Sequence, residues 1–516
     1  MLRYDARSEL LLYKQICADY KDVFLHSQPL CAALAKQVFD APDSLALTDG
    51  LRSFTYAQLQ KLVFKCAGVL RQHKIMCGMR VVIRMPNSLE FYIWYHAIHA
   101  VGAIAVLVPH LLHAREVENI FKQCMPDLVI SDFLDSLIIL ENCGLSSDIF
   151  LNLSLADLPA EHEPLRHDAV RLLDDSAVVL YTSGSTGDPR GVVLSARNIL
   201  TNALQSYTRM LTVDLDCEKF IAALPLSHSF GHMTGLWLPV VSASSVFVMP
   251  SISRVGLKEV FNSFKPTIFF GVPALFGALC ITRGIFVDSV RLFVSGGDFL
   301  PVTIRNAFLH LFGRFICTGY GLSEASPVVG LNIMPDSNAA SIITPLLPEI
   351  EYKIVSDSPG EASCGELWIK GKNVMQGYFS LAHEPSGCIF DGWLATGDVV
   401  SRKKDGSLVM VGRLKDIIVF KGFNIYPQEI ENVLLKHSQV LQCIVVGRPH
   451  DVFGEVPVAG VVIRPGVVFD EKCILDDCKN ALASYKIPHK IISFNEFPLN
   501  HLGKIDRRTV KKTLLC

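Results

Sequence analysis

The sequence predicts an α/β protein with a large N-terminal domain of layered α/β subdomains, a β-rich subdomain and a small α+β C-terminal domain. Between residues 30 and 410, short apolar runs that resemble buried strands alternate with helical patterns, which is typical of α/β layers. From Leu367 the pattern changes to short alternating strands, and after Arg413 to a smaller unit of amphipathic helices and strands. We therefore assign residues 1–411 to the N-terminal domain and residues 412–516 to the C-terminal domain.

Particular runs predict the strands in chain order. In the N-terminal domain the apolar runs are residues 80–85, 128–130, 177–181, 267–270 and 291–294. In the β-rich part, alternation and a glycine-containing turn predict strands at 366–370 and 404–411. Pro427, followed by acidic residues, predicts the start of a helix, because proline and negative charge both suit a first helical turn.

Length and composition describe a multidomain globular protein. A chain of 516 residues exceeds what one hydrophobic core usually organises. With 50% hydrophobic and 19% charged residues, it is not intrinsically disordered. A net charge of −2 creates no general attraction for nucleic acid or an anionic membrane.

Targeting signals and membrane spans are not predicted. The first residues include an acid and no apolar segment, so we expect no secretory signal. The longest apolar stretches, residues 97–108 and 236–250, are shorter than the ~20 residues of a membrane-spanning helix. The 15 cysteines are scattered without CxxC pairs, which favours reduced thiols over a disulfide framework or a zinc site.

The stretch from Tyr181 to Gly191 is the most informative part of the chain. Three glycines and four Ser or Thr residues lie between two short apolar strands, so backbone N–H and hydroxyl groups can surround phosphate oxygens. Arg190 adds a cation that can pair with phosphates. The stretch is not a Walker loop, because no GxxxxGK[ST] is present. A polar linker is the alternative interpretation, and spacing alone does not decide between them.

This stretch resembles the signature loop of the adenylate-forming superfamily, which includes acyl-CoA synthetases, peptide-synthetase adenylation domains and firefly luciferase. The resemblance implies an ATP-binding loop that ends at Arg190, where the family usually has Lys. Its other ATP-binding residues would be Thr182, Ser183, Gly184, Ser185, Thr186 and Gly187.

Three further motifs of that family follow in the expected order. The first, residues 224–231, contains His228, which would gate the acyl pocket, although an isolated His in an apolar loop is more often structural. The second, residues 294–301, resembles the adenine-binding turn. Its nucleotide contacts would be Gly296, Gly297 and Asp298, the last at a position where relatives often have Ala or Glu.

The third motif, residues 318–324, resembles the Tyr-Gly-x-Thr-Glu element. In it Gly319 and Gly321 would contact the nucleotide, Tyr320 would stack on adenine, Ser323 would reach the α-phosphate, and Glu324 would hold Mg²⁺ together with Thr182. Residues 321–325 also look like part of a nucleophile elbow. The phosphate loop and the missing final glycine favour the nucleotide interpretation over a serine hydrolase.

The β-rich part and the C-terminal domain carry the remaining matches. Residues 365–371 and 374–378 match a structural β element of the family, and residues 340–349 lack three glycines that relatives usually have. The resemblance then implies Asp398 as the ribose ligand, Arg413 as a nucleotide contact and Lys415 as the hinge. The strand lining the pantetheine tunnel would be Lys421, Gly422 and Phe423, and the catalytic lysine would be Lys504.

The family's activity is the formation of an acyl-adenylate from ATP and a carboxylic acid, followed by transfer to a thiol. We expect Mg²⁺ with ATP, CoA as co-substrate and a mobile C-terminal domain that withdraws Lys504 after adenylation. The favoured acid is a medium- or long-chain fatty acid. Loading of an acyl-carrier protein is the same-fold alternative, and a non-catalytic nucleotide or acyl binder is the alternative from another class.

Nucleic acid is not expected as a partner. We expect a cytoplasmic enzyme, monomeric or homodimeric, for which peripheral contact with a membrane is compatible with a fatty substrate.

Overall fold

The computed structural model divides the chain into two compact units. Unit 1 comprises residues 1–339, 345–351 and 370–394, and unit 2 comprises residues 340–344, 352–369 and 395–516. The residues that the structure describes are 5–25, 28–152, 155–158, 171–183, 189–333, 342–356, 363–379, 387–421, 423–498 and 505–515.

Helices occur in both units. They are α1 (Ala6–Asp19), α2 (Lys21–Leu25), α3 (Pro29–Asp40), α4 (Tyr56–Gln72), α5 (Leu89–Ala100), α6 (Ala114–Cys124), α7 (Asp135–Asn142), α8 (Ala196–Leu211), α9 (Ser229–Gly231), α10 (Leu238–Val241), α11 (Arg254–Ser263), α12 (Pro273–Ile281), α13 (Val302–Phe312), α14 (Pro427–Leu434), α15 (Glu471–Ala481) and α16 (Arg507–Leu515). A π-helical segment, His232–Trp237, lies between α9 and α10.

The strands form four sheets. They are β1 (Leu45–Thr48), β2 (Ser53–Thr55), β3 (Arg80–Arg84), β4 (Ile104–Leu107), β5 (Leu128–Ser131), β6 (Phe150–Leu151), β7 (Ser176–Ser183), β8 (Pro189–Ser195), β9 (Lys219–Ala222), β10 (Ser245–Val248), β11 (Ile268–Gly271), β12 (Leu292–Ser295), β13 (Ile316–Gly321), β14 (Val328–Asn332), β15 (Glu351–Val355), β16 (Cys364–Lys370), β17 (Gly377–Tyr378), β18 (Ile389–Phe390), β19 (Trp393–Arg402), β20 (Leu408–Arg413), β21 (Ile418–Phe420), β22 (Phe423–Ile425), β23 (Val440–His450), β24 (Gly454–Ile463) and β25 (Lys490–Phe494).

The larger sheet of unit 1 has the strand order β14-β13-β12-β11-β9-β10-β1-β2. Helices α11, α12 and α13 connect its parallel strands, and each has a local reason to begin or end where it does. The Ser253 hydroxyl accepts the Gly256 N–H at the start of α11, Pro273 occupies the first turn of α12, and Gly313 ends α13 with φ 62°. Their inner faces share one apolar core, in which Phe276 packs edge-on against Phe308.

The second sheet of unit 1 has the order β17-β8-β7-β4-β3-β5-β6. Strands β3, β4, β5 and β7 are parallel and buried, whereas β7 and β8 form an antiparallel pair. Strand β8 leads directly into α8, which Ser195 and Asn198 begin as a reciprocal capping box.

Helix α8 is almost entirely buried, including its polar side. Four of its residues, which we call the polar row, recur at helical spacing: Asn198, Asn202, Gln205 and Arg209. Asn198 donates to the Lys372 and Val374 carbonyls at 2.8 Å each, and Asn202 both donates to the Val328 carbonyl and accepts its N–H. Gln205 donates to the carbonyl of Pro348.

Arg209 ends the polar row with its side chain fully buried. Its guanidinium pairs with Glu9 of α1, with Nη2 to Oε2 at 2.9 Å. It also donates to the carbonyls of Leu331, Pro345 and Leu346. The polar row therefore satisfies backbone carbonyls in three separate chain segments.

A buried cluster contains aromatic rings and histidines of α5 and of the π-helical segment that follows α9. The Tyr95 hydroxyl accepts from Trp237 Nε1 at 2.8 Å and lies 2.7 Å from His232 Nε2. A neutral imidazole that accepts the hydroxyl proton at Nε2 would satisfy both groups. Neither ring nitrogen of His96 has a hydrogen-bond partner among the described residues.

Burial disfavours the charged form of these imidazoles. It lowers the pKa of His96 to about 4 and that of His232 to about 3, and it holds the pKa of His99 well below its ordinary value.

The two remaining sheets lie mainly in unit 2. One has the order β15-β16-β19-β18 with β20 also on β19, and the other has the order β22-β21-β24-β23 with β25 on β24. Helices α14 and α15 pack on one side of the second sheet, with Ile430 and Ile474 in its core, and α16 contributes Val510 to another core on β23 and β24.

The predicted fold class is confirmed: layered α/β sheets are followed by β-rich and α+β parts. The predicted domain boundary between residues 411 and 412 stays a prediction. Within the described ranges, no helix is long and apolar enough to cross a membrane.

Replacing Glu9 with alanine should destabilise the protein strongly, because the guanidinium of Arg209 would remain buried with an unpaired charge. We expect Glu9→Ala to lower the free energy of unfolding by about 3–5 kcal/mol, measured by denaturant titration followed by fluorescence. The control is Glu118→Ala, which removes an exposed pair with Lys122 and should cost less than about 1 kcal/mol. Equal losses in the two variants would contradict this account.

The buried imidazoles should make the protein acid-labile. An unfolded chain binds protons at histidine below about pH 6.5, whereas these histidines stay neutral in the fold. The midpoint of thermal unfolding should therefore fall as pH drops from about 7 towards 4, the range between the unfolded and folded pKa values. His96→Leu should flatten the profile, and replacement of the exposed His73 by Ala should not. An unchanged slope in His96→Leu would count against the explanation.

Candidate functional site

The hairpin β7–β8 carries Thr182 and Arg190, two of the predicted phosphate-binding residues, near its end. Its register places Thr182 opposite Arg190, and the Thr182 hydroxyl donates to the Arg190 carbonyl at 3.4 Å. Gly191 is packed so closely that a Cβ there would lie 2.8 Å from the Val179 side chain. Residues 184–188, which include Gly184, Ser185, Thr186 and Gly187, and the side chain of Ser183 lie outside the described part of the chain.

Tyr378 lies beside this hairpin and contacts two predicted site residues. Its strand β17 pairs with β8, with Tyr378 opposite Val192. The Tyr378 hydroxyl donates to Glu324 Oε1 at 2.7 Å, and the Arg190 guanidinium lies 5.4 Å from the centre of its ring. Burial and the negative charge of Glu324 raise the pKa of Tyr378, so the hydroxyl keeps its proton. Sequence analysis had placed Tyr378 in a structural β element only.

Two glycine turns meet at the carboxyl ends of neighbouring parallel strands. Gly296 follows β12 and Gly319 lies in β13, and the two strands are in register at Ser295 and Thr318. A Cβ on Gly296 would lie 3.4 Å from the Gly319 carbonyl oxygen and 3.0 Å from the Phe230 ring. The strand ends of parallel sheets are where α/β proteins bind ligands.

The other glycines of these turns also have structural reasons to be glycine. Gly297 has φ 78°, and a Cβ on Gly321 would lie 2.1 Å from the Pro327 carbonyl oxygen. Tyr320, between Gly319 and Gly321, is half-buried. Asp298 is exposed and accepts the N–H of the next residue, Phe299, at 2.8 Å. The structure thus places these predicted adenine contacts at adjoining strand ends, and their contacts with a nucleotide stay predictions.

Ser323 contacts Ser229, which sequence analysis missed and which is the sequence neighbour of His228. The Ser323 hydroxyl lies 2.8 Å from that of Ser229, and both are buried. His228 begins α9, and its Nδ1 accepts the Phe230 N–H at 3.3 Å. Phe230 packs edge-on against Phe270 at 6.2 Å between ring centres. The position of Ser229 next to His228 was the only sequence signal that could have drawn attention to it.

In unit 2, two residues that are predicted to contact the nucleotide, Asp398 and Arg413, form an ion pair with each other. Asp398 in β19 is directly opposite Arg413 in β20, and Arg413 Nε donates to Asp398 Oδ1 at 3.0 Å. The Asp398 side chain is 3% exposed and that of Arg413 is 56% exposed. The Arg413 guanidinium therefore restrains the Asp398 carboxylate, while most of the Arg413 side chain is accessible to an anion.

The remaining predicted residues of unit 2 lie on turns. Lys415 is exposed in the 3₁₀ turn Leu414–Asp416, between β20 and β21. Lys421 has φ 49° in the turn between β21 and β22, with its amine 4.3 Å from the centre of the Phe453 ring. Phe423 is exposed and stacks on Tyr485 at 5.2 Å between ring centres.

Two predicted residues of this unit, Gly422 and Lys504, lie outside the described residues. The hinge, tunnel and catalytic roles stay predictions.

Family models match both parts of the chain. The model described as AMP-binding enzyme matches residues 34–379, and the one described as AMP-binding enzyme C-terminal domain matches residues 429–504. A Bacillus subtilis protein named long-chain-fatty-acid–CoA ligase is 27% identical over 539 residues, which cover 95% of this chain and 96% of that protein. A Salmonella typhimurium protein of the same name is 31% identical, covering 84% of this chain and 85% of its own.

Solved structures agree with these matches. ATP-bound MatB from Rhodopseudomonas palustris superposes with a TM-score of 0.85 at 25% identity, covering 94% of this chain and 98% of MatB. The Bacillus subtilis o-succinylbenzoate CoA synthetase MenE, in complex with its acyl-adenylate, has a TM-score of 0.81 at 26% identity, covering 93% of this chain and 97% of MenE. Since the first model spans most of the chain and these relatives cover it nearly end to end, the chain belongs to the AMP-binding, adenylate-forming enzymes and is an AMP-forming ligase of the acyl-CoA synthetase type.

Proposed function

We propose that this ligase activates a medium- or long-chain fatty acid with ATP and transfers the acyl group to the thiol of CoA. The acid would attack the α-phosphate to give acyl-AMP and pyrophosphate, and the thiol would then displace AMP. The observation that carries the proposal is the convergence of Arg190, Tyr378 and Glu324 beside the predicted phosphate loop. It brings a cation and a carboxylate to one place, and phosphate chemistry requires both.

The carboxylate substrate needs no general base, because it is ionised at neutral pH. The barrier is electrostatic, since one anion must approach another while charge accumulates on the phosphate oxygens. Arg190 would pair with the pyrophosphate, Ser323 would donate to the α-phosphate, and Lys504 would stabilise the transferring group. Thioester formation would require that Lys504 be replaced by the tunnel strand, through rotation about Lys415.

Glu324 and Thr182 suit a magnesium ion that arrives with ATP. Their carboxylate and hydroxyl oxygens are the hard donors that Mg²⁺ prefers, and Tyr378 engages only Oε1 of the carboxylate. No group of three or more His, Cys, Asp or Glu side chains in the described residues could hold a metal, so phosphates and water would supply the other ligands. When bound, Mg²⁺ would neutralise charge on the phosphate oxygens.

An apolar acid is favoured by the surroundings of Ser323. Phe230 follows Ser229 of the Ser229–Ser323 pair and packs edge-on against Phe270, and a Cβ on Gly296 would lie 3.0 Å from the Phe230 ring. Relatives at 27–31% identity are named for long-chain fatty acids, whereas the structural neighbour MenE is named for an aromatic acid. The fold is therefore shared by enzymes for different acids, and the acid must be measured.

Acid specificity should show as acid-dependent exchange of pyrophosphate into ATP. We expect exchange to rise along a saturated series from acetate to stearate, with o-succinylbenzoate and an amino acid near background. Trapping with CoA should then yield acyl-CoA, and trapping with an acyl-carrier protein should yield little. Preference for a short, aromatic or amino acid would refute the fatty-acid assignment, and preference for the carrier protein would refute CoA. ATP affinity without exchange would identify a non-catalytic binder.

Lys504 should serve adenylation alone. We expect Lys504→Ala to slow pyrophosphate exchange by about 10²–10³-fold, because a cation at the developing charge is lost. Transfer from a supplied acyl-adenylate to CoA should stay within about twofold of the unmodified enzyme. Lys511→Ala, at an exposed position of α16, is the matched control and should change neither rate. Equal loss of both half-reactions in Lys504→Ala would refute this division.

A further inference from the structure

Tyr378 belongs to a short segment that joins the phosphate hairpin to the turn carrying Glu324. On one side, the Gln376 N–H donates to the Val193 carbonyl at 3.0 Å and the Phe379 N–H to the Gly191 carbonyl at 2.6 Å. On the other side, the Met375 N–H donates to the Glu324 carbonyl at 2.8 Å. The backbone therefore holds the segment against both neighbours before any side chain is considered.

Asn373, at the start of the same segment, secures the turn after Glu324. Its Nδ2 donates to the Ala325 carbonyl at 2.9 Å, and its own carbonyl accepts the Ser326 hydroxyl at 2.8 Å. These bonds hold the turn at residues 323–326 in place. They do not by themselves determine where the Glu324 side chain points. The Tyr378 hydroxyl, at 2.7 Å from Oε1, supplies that orientation through a hydrogen bond to a charged acceptor.

Tyr378 also contacts two groups of opposite charge, through different parts of its side chain. Arg190 lies over its face at 5.4 Å, while its hydroxyl holds Glu324. Among the described residues, Arg190 and Glu324 form no ion pair with each other. A direct pair would neutralise both groups, whereas a cation on a π face keeps its donors for an anionic ligand.

We propose that Tyr378 is a positioning residue of the nucleotide site, which orients Glu324 towards the magnesium ion and keeps Arg190 unpaired for the phosphates. This inference rests on the proposed function, because it takes Mg²⁺–ATP as the ligand. Its two parts are separable: the hydroxyl acts on the metal through Glu324, and the ring acts on the phosphates through Arg190. Substitutions that remove one or both parts should therefore have different signatures.

The test measures affinity for a non-hydrolysable ATP analogue by calorimetry, once with excess Mg²⁺ and once with EDTA. Tyr378→Phe keeps the ring and loses the hydroxyl. We expect the gain in affinity that Mg²⁺ produces to be about tenfold smaller in this variant, and its affinity for the analogue in EDTA to be unchanged. Tyr378→Leu loses both parts, so its affinity in EDTA should also fall, by about threefold. The Mg²⁺ concentration for half-maximal pyrophosphate exchange should rise in both variants.

Two comparisons keep the proposal falsifiable. In a Glu324→Gln background, Tyr378→Phe should have no further effect on the Mg²⁺-dependent gain, because the hydroxyl acts through that carboxylate. Tyr207→Phe removes another tyrosine–carboxylate bond, to Asp216 at 2.8 Å, and should behave as the unmodified enzyme does. A normal Mg²⁺-dependent gain in Tyr378→Phe, or an undiminished effect in the Glu324→Gln background, would overturn the proposal.

The failure of the proposed function would look different. The unmodified enzyme could show no acid-dependent pyrophosphate exchange and still bind the analogue more tightly with Mg²⁺. That result would refute the proposed activity, and the calorimetry of the Tyr378 variants would still test the role of Tyr378. An unmodified enzyme without that gain would overturn the role assigned to Glu324 and, with it, that of Tyr378.

Discussion

The polar row of α8 is the constraint on which the placement of the nucleotide-site residues depends. Asn198 holds the carbonyls of Lys372 and Val374, in the segment that leads to Tyr378, and Asn202 holds Val328, directly after the turn that carries Glu324. Both partners of the Tyr378–Glu324 bond are thereby anchored on one buried helix. An unsatisfied buried carbonyl costs about 1–3 kcal/mol. Loss of a bond from the polar row would therefore both destabilise the fold and release the segments that carry Tyr378 and Glu324.

Charge is arranged differently in the two units. In unit 1 Tyr378 contacts both charged groups: Arg190 lies over its ring, and Glu324 accepts a hydrogen bond from its hydroxyl. In unit 2 Asp398 and Arg413 are directly opposed across two strands and bond to each other. The first arrangement keeps charge available for a polyanion and its metal. The second restrains a buried carboxylate whose proposed role is to accept ribose hydroxyls.

Sequence patterns alone do not reveal which polar groups are buried and paired. Four polar residues at helical spacing on α8 would ordinarily indicate a solvent-exposed face, yet Asn202, Gln205 and Arg209 are fully buried. Tyr378 reads as an ordinary strand residue, and Ser229 as an unremarkable neighbour of His228. Their roles depend on contacts with Glu324 and Ser323, which lie 54 and 94 residues away in sequence.

By itself, the sequence determined the α/β class, several of the buried strands and the family, because these depend on local properties. Apolar periodicity reports burial along one strand, and glycines at turns such as 296–297 and 321 report a backbone conformation or close approach that only glycine permits. Only the tertiary structure decided which polar groups meet: Arg209 with Glu9 across 200 residues, Ser323 with Ser229, and Tyr378 with both Arg190 and Glu324. The physical reason is that such a bond requires two elements to be packed together first, and no pattern within either element encodes its partner.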